Sequence, residues 1–319
     1  MKSVAFSFSL ILLGALMMLS VMTGVTQLSL MDVWRDADMR EIMWLSRVPR
    51  TVALVLAGSA MSVAGQIMQM LTQNRFVEPS VVGTTQSAGL GLLLVMLFYP
   101  AAPVIVKMGI AALFALAGTL LFMLLIAHVR QKSALIVPLT GIMLGAVFSS
   151  VTTFLAMQFD LLQALGSWES GDFSSVMQGR YELLWLVGMI ALLAGLLADR
   201  FTVAGLGHDF SVNVGLNYRR VQLTGMAMIA LISGVVIVVV GVLPFLGLIV
   251  PNIVSLLAGD NLRRTVHWVA LTGAMLVVSC DILGRLIVQP FEIPVSTLLG
   301  VLGAAVFLLL IMKGKRHGR

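Results

Sequence analysis

The chain has 319 residues, with 20 Lys+Arg against 14 Asp+Glu, a net charge of +6 and a pI of about 10.0. Hydrophobic residues make up 59%, charged residues only 11%, and mean hydropathy is +1.04, where a soluble domain carries about 25% charge. This excludes a water-soluble globular protein and makes lipid the main solvent. The basic residues are scattered between apolar stretches and never interleaved with aromatics as a face, which argues against nucleic acid as a partner. A single cysteine, Cys280, excludes an intrachain disulfide framework.

A bilayer-crossing helix needs about 20 mostly apolar residues. Such runs predict an all-α membrane protein of about ten transmembrane helices over 4–26, 49–70, 82–99, 104–128, 133–157, 181–198, 220–242, 244–258, 266–284 and 294–312. The first run follows Lys2, is as long as a span and lacks a small-residue cleavage pattern, so it reads as a retained helix. Arg47-Val48-Pro49-Arg50 stands at the mouth of the second, where a proline at a helix start costs nothing. Its arginines fit either interface anchors or a patch for a partner's carboxylates. The eighth run is short and opened by Pro244, which fits a broken or re-entrant element. Ten spans put both termini on one side. The larger share of Lys and Arg, including Arg75, Arg200, Arg219, Arg220, Arg263 and Arg264, lies there too, which makes that side cytoplasmic. Outer stretches 27–48 and 158–180 and inner stretch 199–219 are longer than turns.

Ion-coupled carriers keep ionisable groups at mid-membrane. Here Asp281 sits near the outer end of the ninth span and Glu78 in the turn after the second, a poor endowment for an ion relay. The histidines His128, His208, His267 and His317 fall near the inner ends of spans with no zinc-site or serine-hydrolase spacing, so no catalytic constellation is present. Lys132-Ser133 lacks the glycines of a phosphate-binding loop. Uphill work would need energy from another chain.

Small residues Gly141, Gly145, Ser149 and Thr153 share one face of the fifth span, and Ser296, Gly300 and Ala304 one face of the tenth. Such faces suit close helix packing, a subunit interface or the wall of a pathway. In the inner stretch, Gly205, Gly207 and Gly215 bracket about two helical turns with Asp209 near the start and Phe210 and Val214 as an i,i+4 apolar pair. This reads as a docking helix or as one lying on headgroups.

Taken in order, these residues resemble a family. Arg47-Val48-Pro49-Arg50, Ala57-Gly58-Ser59-Ala60, Gly65-Gln66-Ile67-Met68-Gln69, Asn74-Arg75-Phe76-Val77-Glu78-Pro79 and Gly83 are followed by Leu206-Gly207 and Gly215. Then come Phe245-Leu246-Gly247-Leu248-Ile249-Val250-Pro251, Gly259-Asp260, Asp281 with Arg285, and Glu292-Ile293-Pro294. The set is similar to the FecCD family, permease subunits of ABC importers for iron–siderophores, haem and vitamin B12. It spreads over nearly the whole chain from residue 44.

The resemblance implies one permease domain over 1–319 with a vitamin B12 importer-like fold in the bacterial inner membrane. It implies partners: two cytoplasmic ATPase subunits that use ATP, a periplasmic or surface binding protein, and a second permease subunit. The chain itself would bind no cofactor and catalyse no reaction. By motif match, Arg47, Arg50 and Arg285 look like arginines that dock the binding protein's glutamates. Leu206, Gly207, Asp209, Phe210, Ser211 and Gly215, within 199–219, look like the ATPase coupling segment. Asn74 and Phe76 resemble residues at the inner end of the pathway, with Gly141, Gly145 and Ser149 as its wall. Arg75 replaces a family proline, Asn252 a family histidine after Pro251, and the coupling stretch is reduced to Asp209-Phe210-Ser211. Pro251-Asn252-Ile253-Val254-Ser255 with Gly259-Asp260-Asn261 is similar to a branch that handles catecholate siderophores, which favours a ferric siderophore over cobalamin and a heterodimer over a homodimer. The alternative is an ion-coupled secondary transporter or channel.

Overall fold

The computed structural model describes residues 2–24, 36–129 and 135–314. The start of the 27–48 stretch, the Lys132-Ser133 pair and the basic residues Lys315, Arg316 and Arg319 lie outside the described residues. Everything described is helix or connection, with no strand among the described residues. In chain order the helices are α1 (Lys2–Met22), α2 (Ala37–Ile42), a π-helical turn (Met43–Arg47), α3 (Val48–Thr72), α4 (Thr84–Phe98) and α5 (Val104–His128). They continue as α6 (Ile136–Gln158), α7 (Leu162–Glu169), a 3-10 turn (Tyr181–Leu183), α8 (Leu184–Leu196), α9 (Ala198–Ala204) and α10 (His208–Asn213). The last four are α11 (Tyr218–Val239), α12 (Leu246–Ala258), α13 (Leu262–Ile287) and α14 (Val295–Gly314).

Among the described residues six helices are long and apolar enough to cross a bilayer: α1 from Ala5, the rod Ala37–Thr72, α5, α6, α11 and α13. The protein is therefore a multi-pass membrane protein. In the most apolar stretch of the rod 78% of the residues are buried and in that of α1 only 6%, so α3 is the axis of the bundle and α1 an exposed flank. Small residues set the closeness of packing, as expected where lipid is no less apolar than leucine. A Cβ on Gly58 would lie 2.8 Å from the Gly273 carbonyl oxygen of α13, and one on Gly234 of α11 would lie 2.6 Å from Ala112 of α5.

Two prolines shape the rest. Pro49 is the second residue of α3, at a helix start as the sequence places it, while residues 37–47 of the presumed outer loop are also helical and run into it. A proline has no N–H for the carbonyl four residues back. For Pro49 that carbonyl is Leu45, and the backbone N–H of Gln178 supplies it at 2.9 Å. For Pro251, inside α12, it is Gly247, and Gln69 Nε2 of α3 supplies it at 3.1 Å. Each proline thus exports one hydrogen bond from its helix to a distant segment.

Two further expectations change in shape. The 181–198 span bends by 66° at its junction with α9, so the first part of the 199–219 stretch is helix, not loop. The helices at 84–98 and 246–258 have 15 and 13 residues, short of a full crossing. Both start inside the bundle. A Cβ on Gly65 would fall 2.2 Å from Gly247, and Gly65 lies seven residues, roughly 11 Å, short of the end of α3. Residues 73–83 turn back into the protein to reach that level, with Val77 and Val82 fully buried.

Candidate functional site

At one end of the bundle the three sequence-predicted arginines meet. Arg50 donates to Asp281 Oδ1 through Nη2 at 2.7 Å and Nε at 3.1 Å, and Nη2 also reaches Glu292 Oε2 at 2.8 Å. Arg285 pairs with the other oxygen of Asp281, one helical turn earlier on α13, and donates to the Ser20 carbonyl at 2.9 Å and hydroxyl at 2.8 Å. Arg47 donates from Nη1 to the carbonyls of Val21 and Met22, both at 3.1 Å. Two orphan carbonyls at the end of α1 thus find donors on the rod. Asp281 is fully buried and the arginine side chains of Arg50 and Arg285 are 13% and 5% exposed. The cluster ties α1, α3, α13 and the segment before α14 together. Its guanidiniums are engaged within the chain, where the sequence suggested charges held out for a partner.

At mid-bundle the site is built around Glu78, which is 1% exposed. Its Oε1 accepts the Phe245 N–H at 2.8 Å and the Ser80 hydroxyl. Phe245 is in the left-handed conformation, φ 61°, and starts α12. The carboxylate therefore caps a helix N-terminus within the bundle, where orphan N–H groups and the positive end of the helix dipole need a negative acceptor. Sequence reasoning weighed Glu78 only as an ion relay. No local pattern signals this structural task, because the N–H that Glu78 receives belongs to Phe245, 167 positions away.

The two departures from the family pattern meet here. Asn252 Nδ2 donates to the Arg75 carbonyl at 2.8 Å and to Leu248 O at 2.7 Å. Arg75 in turn pairs with Asp260, and Asp260 accepts the Ser255 hydroxyl. Asn74 Oδ1 accepts the Phe76 N–H at 2.9 Å, and Phe76 stands edge-on to Phe307 of α14, centroids 5.9 Å apart. The 73–83 turn is thus clasped to both ends of α12 and touches α14.

The 199–219 segment lies beside the C-terminal end of α3, away from the arginines at its start. The glycine-bracketed helix predicted there is α10, six residues long. Gly207 (φ 111°) and Gly215 (φ 83°) flank it in conformations that side chains rarely adopt. Ser211 is buried, its Oγ 3.1 Å from Val203 O and 2.6 Å from Gly207 O. Around that anchor Leu206, Phe210, Val212 and Val214 are exposed, and the Asp209 side chain is 99% exposed. A cavity of about 400 Å³ runs from Thr202, Gly205 and Leu206 to Gln69, Asn74 and Pro251. It places the exposed short helix beside the clasp.

The glycine face of α6 divides. A Cβ on Gly141 would lie 2.7 Å from Val81 O, and one on Gly145 3.3 Å from the Gln86 side chain. Both pack against the turn that opens α4. Ser149 instead lines a cavity of about 200 Å³ with Gln86, Trp168 and Glu169, and burial raises the Glu169 carboxyl above the usual carboxylate range. On α14, Ser296 donates to Ser170 O, while Gly300 has open space around it and Ala304 is exposed.

Among the described residues no group of three His, Cys, Asp or Glu is placed to hold a metal ion. The chain is 44% identical to the petrobactin import system permease protein FatD of Bacillus anthracis over 98% of its own length and 92% of the relative's. It is 44% identical to the petrobactin import system permease protein YclN of Bacillus subtilis, covering 96% and 98%. The ferric-anguibactin transport system permease protein FatD of Vibrio anguillarum is 39% identical over 85% and 86%. Its fold matches a solved structure described as an inward-facing conformation of a metal-chelate type ABC transporter, with TM-score 0.83 at 21% identity, covering 98% of this chain and 100% of that one. The FecCD transport family model matches residues 11–313, and the chain belongs to that family.

Proposed function

We propose that the chain is the permease subunit of an ATP-driven importer that takes a ferric siderophore, of the kind its relatives are named for, from a periplasmic or surface binding protein across the inner membrane. The rod, the five other long helices, the bent pair α8–α9, α14, and the half-length helices α4 and α12 together with the buried segments that precede them make ten crossings, with both termini cytoplasmic. ATP is used by separate ATPase subunits docking on α10. The binding protein docks at the arginine end, where Arg50 and Glu292 are the outermost members of the cluster. The open face at Gly300 and Ala304 receives a second permease subunit, a different chain in preference to a copy.

The observation that carries this reading is the continuity between an exposed apolar helix and a buried clasp. Phe210 and its neighbours offer a partner something to grip. Leu206 shares a cavity with Asn74, and Gly207 sits so close to Gln73 that a Cβ there would be 3.2 Å from its Nε2. A push on α10 is therefore delivered to the 73–83 turn, which lies across the pathway. ATP makes the change directional by binding the two states with different affinity. Replacing Phe210 by Asp should leave the permease's melting temperature unchanged, because the side chain is exposed, and abolish co-purification of the ATPase together with uptake. ATPase co-purification and uptake at wild-type levels would refute the coupling assignment. The ion-coupled alternative finds no support in the clasp, whose buried carboxylate is committed to a helix cap.

A further inference from the structure

A third cavity, of about 1060 Å³, lies on the exposed flank between the start of α1, the end of α12 and the start of α13. One wall is apolar: Phe6, Ile253, Val254 and Leu257. The rim is cationic and aromatic: Arg263, Arg264, His267 and Trp268. Phe6 stands edge-on to both His267 and Trp268, with centroids 5.2 and 5.5 Å away, and so fixes the aromatic side of the rim. Arg263 shares its charge with Asp199 at 2.8 Å. Arg264, on the same rim, has no ionic partner among the described residues. The cavity therefore presents one uncompensated guanidinium over an apolar groove.

The geometry points to a bound anionic phospholipid, its phosphate on Arg264 and Arg263 and its acyl chains along Leu257 and Phe6. Three features select this occupant. The rim belongs to the first two turns of a 26-residue spanning helix, the level at which tryptophan and arginine sit against headgroups. The groove opens onto surface already suited to acyl chains, since Phe8, Ile11 and Leu257 are 66%, 70% and 84% exposed. A guanidinium matches a phosphate by its fork of donors, and basic pockets between spanning helices are a recurrent form of lipid headgroup site. A soluble anion would use the rim and leave the groove unfilled. The site involves neither the clasp nor α10, so it is independent of the cargo proposed above.

The test uses the full chain assembled with its ATPase in phosphatidylcholine vesicles. Brominated phosphatidylglycerol or brominated phosphatidylcholine is added as the quencher, and the Trp268 signal is isolated by difference from Trp268→Phe. Quenching of that signal should be half-complete at a roughly fivefold lower mole fraction of the phosphatidylglycerol, the scale of one interfacial arginine. Arg264→Lys should keep the preference, and Arg263→Gln with Arg264→Gln should abolish it. Equal quenching by the two lipids in the wild type overturns the proposal, whatever the variants do, as does a preference that survives the double substitution. Erasure of the preference by water-soluble glycerol phosphate would also overturn it, by identifying a site for soluble anions.

Discussion

The backbone contact between α3 and α12 at Gly65 and Gly247 is the bundle's most testable point. A Cβ added at Gly65 would lie 2.2 Å from both the Cα and the carbonyl oxygen of Gly247, where ordinary contact starts at 3.4 Å. The obstructing atoms are backbone on both sides, so no rotamer change relieves them. In Gly65→Ala the two helices must separate by more than an ångström, which stretches the 3.1 Å bond from Gln69 to Gly247 O beyond hydrogen-bonding range. Overpacking of this kind costs about 1–3 kcal/mol, and the lost bond about 0.5–1.5 kcal/mol. The carbonyl that Pro251 cannot satisfy is then left bare at mid-bundle. The expected result is a destabilisation of about 1.5–4.5 kcal/mol, combining those two terms, read as a lowered thermal midpoint of the purified permease and a loss of uptake in cells. Gly109→Ala on α5, where nothing lies within 4 Å of the new atom, should leave both unchanged and serves as the control. Wild-type uptake and melting in Gly65→Ala would refute the close approach and, with it, the placement of the start of α12 inside the bundle.

Arg50→Ala should destabilise the permease by about 1.5–3 kcal/mol, the cost of losing charged hydrogen bonds to buried Asp281, which Arg285 still pairs, measured as a lower melting temperature. An unchanged midpoint with lost binding-protein affinity would instead make Arg50 a docking residue only. Glu78→Gln keeps an oxygen for the Phe245 N–H and should retain part of the transport rate. Glu78→Ala removes the cap at a cost of about 1–3 kcal/mol and should lower both melting point and uptake further. Equal behaviour of the two would show that the cap is not what the carboxylate contributes.

What the sequence made legible follows from where each determinant lies. The long spans at 104–128 and 220–242 are written into contiguous runs and appear almost to the residue as α5 and α11. The pairing of Asp281 with Arg285 is an i,i+4 spacing visible in the chain. The short helix at 208–213 announces itself by its flanking glycines. The determinants of the clasp are different in kind. Glu78 meets Phe245 across 167 positions, Gln69 meets Gly247 across 178, and Arg50 meets Asp281 across 231. Local pattern gives the charge of Arg50 and the gap left by Pro251, but not which distant group answers them. Hence the sequence does not show the partners of Arg50 within the chain or the cap that Glu78 makes on α12.

The two departures from the family pattern make the same point from the other direction. Arg75 in place of a proline and Asn252 in place of a histidine look like two independent losses along the sequence. In space Asn252 holds the Arg75 carbonyl while the Arg75 guanidinium holds Asp260, just beyond the end of the same helix that carries Asn252. Residue 75 thus makes two holds, by its backbone carbonyl to Asn252 of α12 and by its side chain to Asp260 just past that helix, which ties two points to one residue of the turn. Asn252→Ala and Arg75→Ala each remove one of these two holds, so the double change should weaken uptake by less than the sum of the single changes. If uptake falls additively across the two substitutions, the residues act independently and the clasp is not a unit.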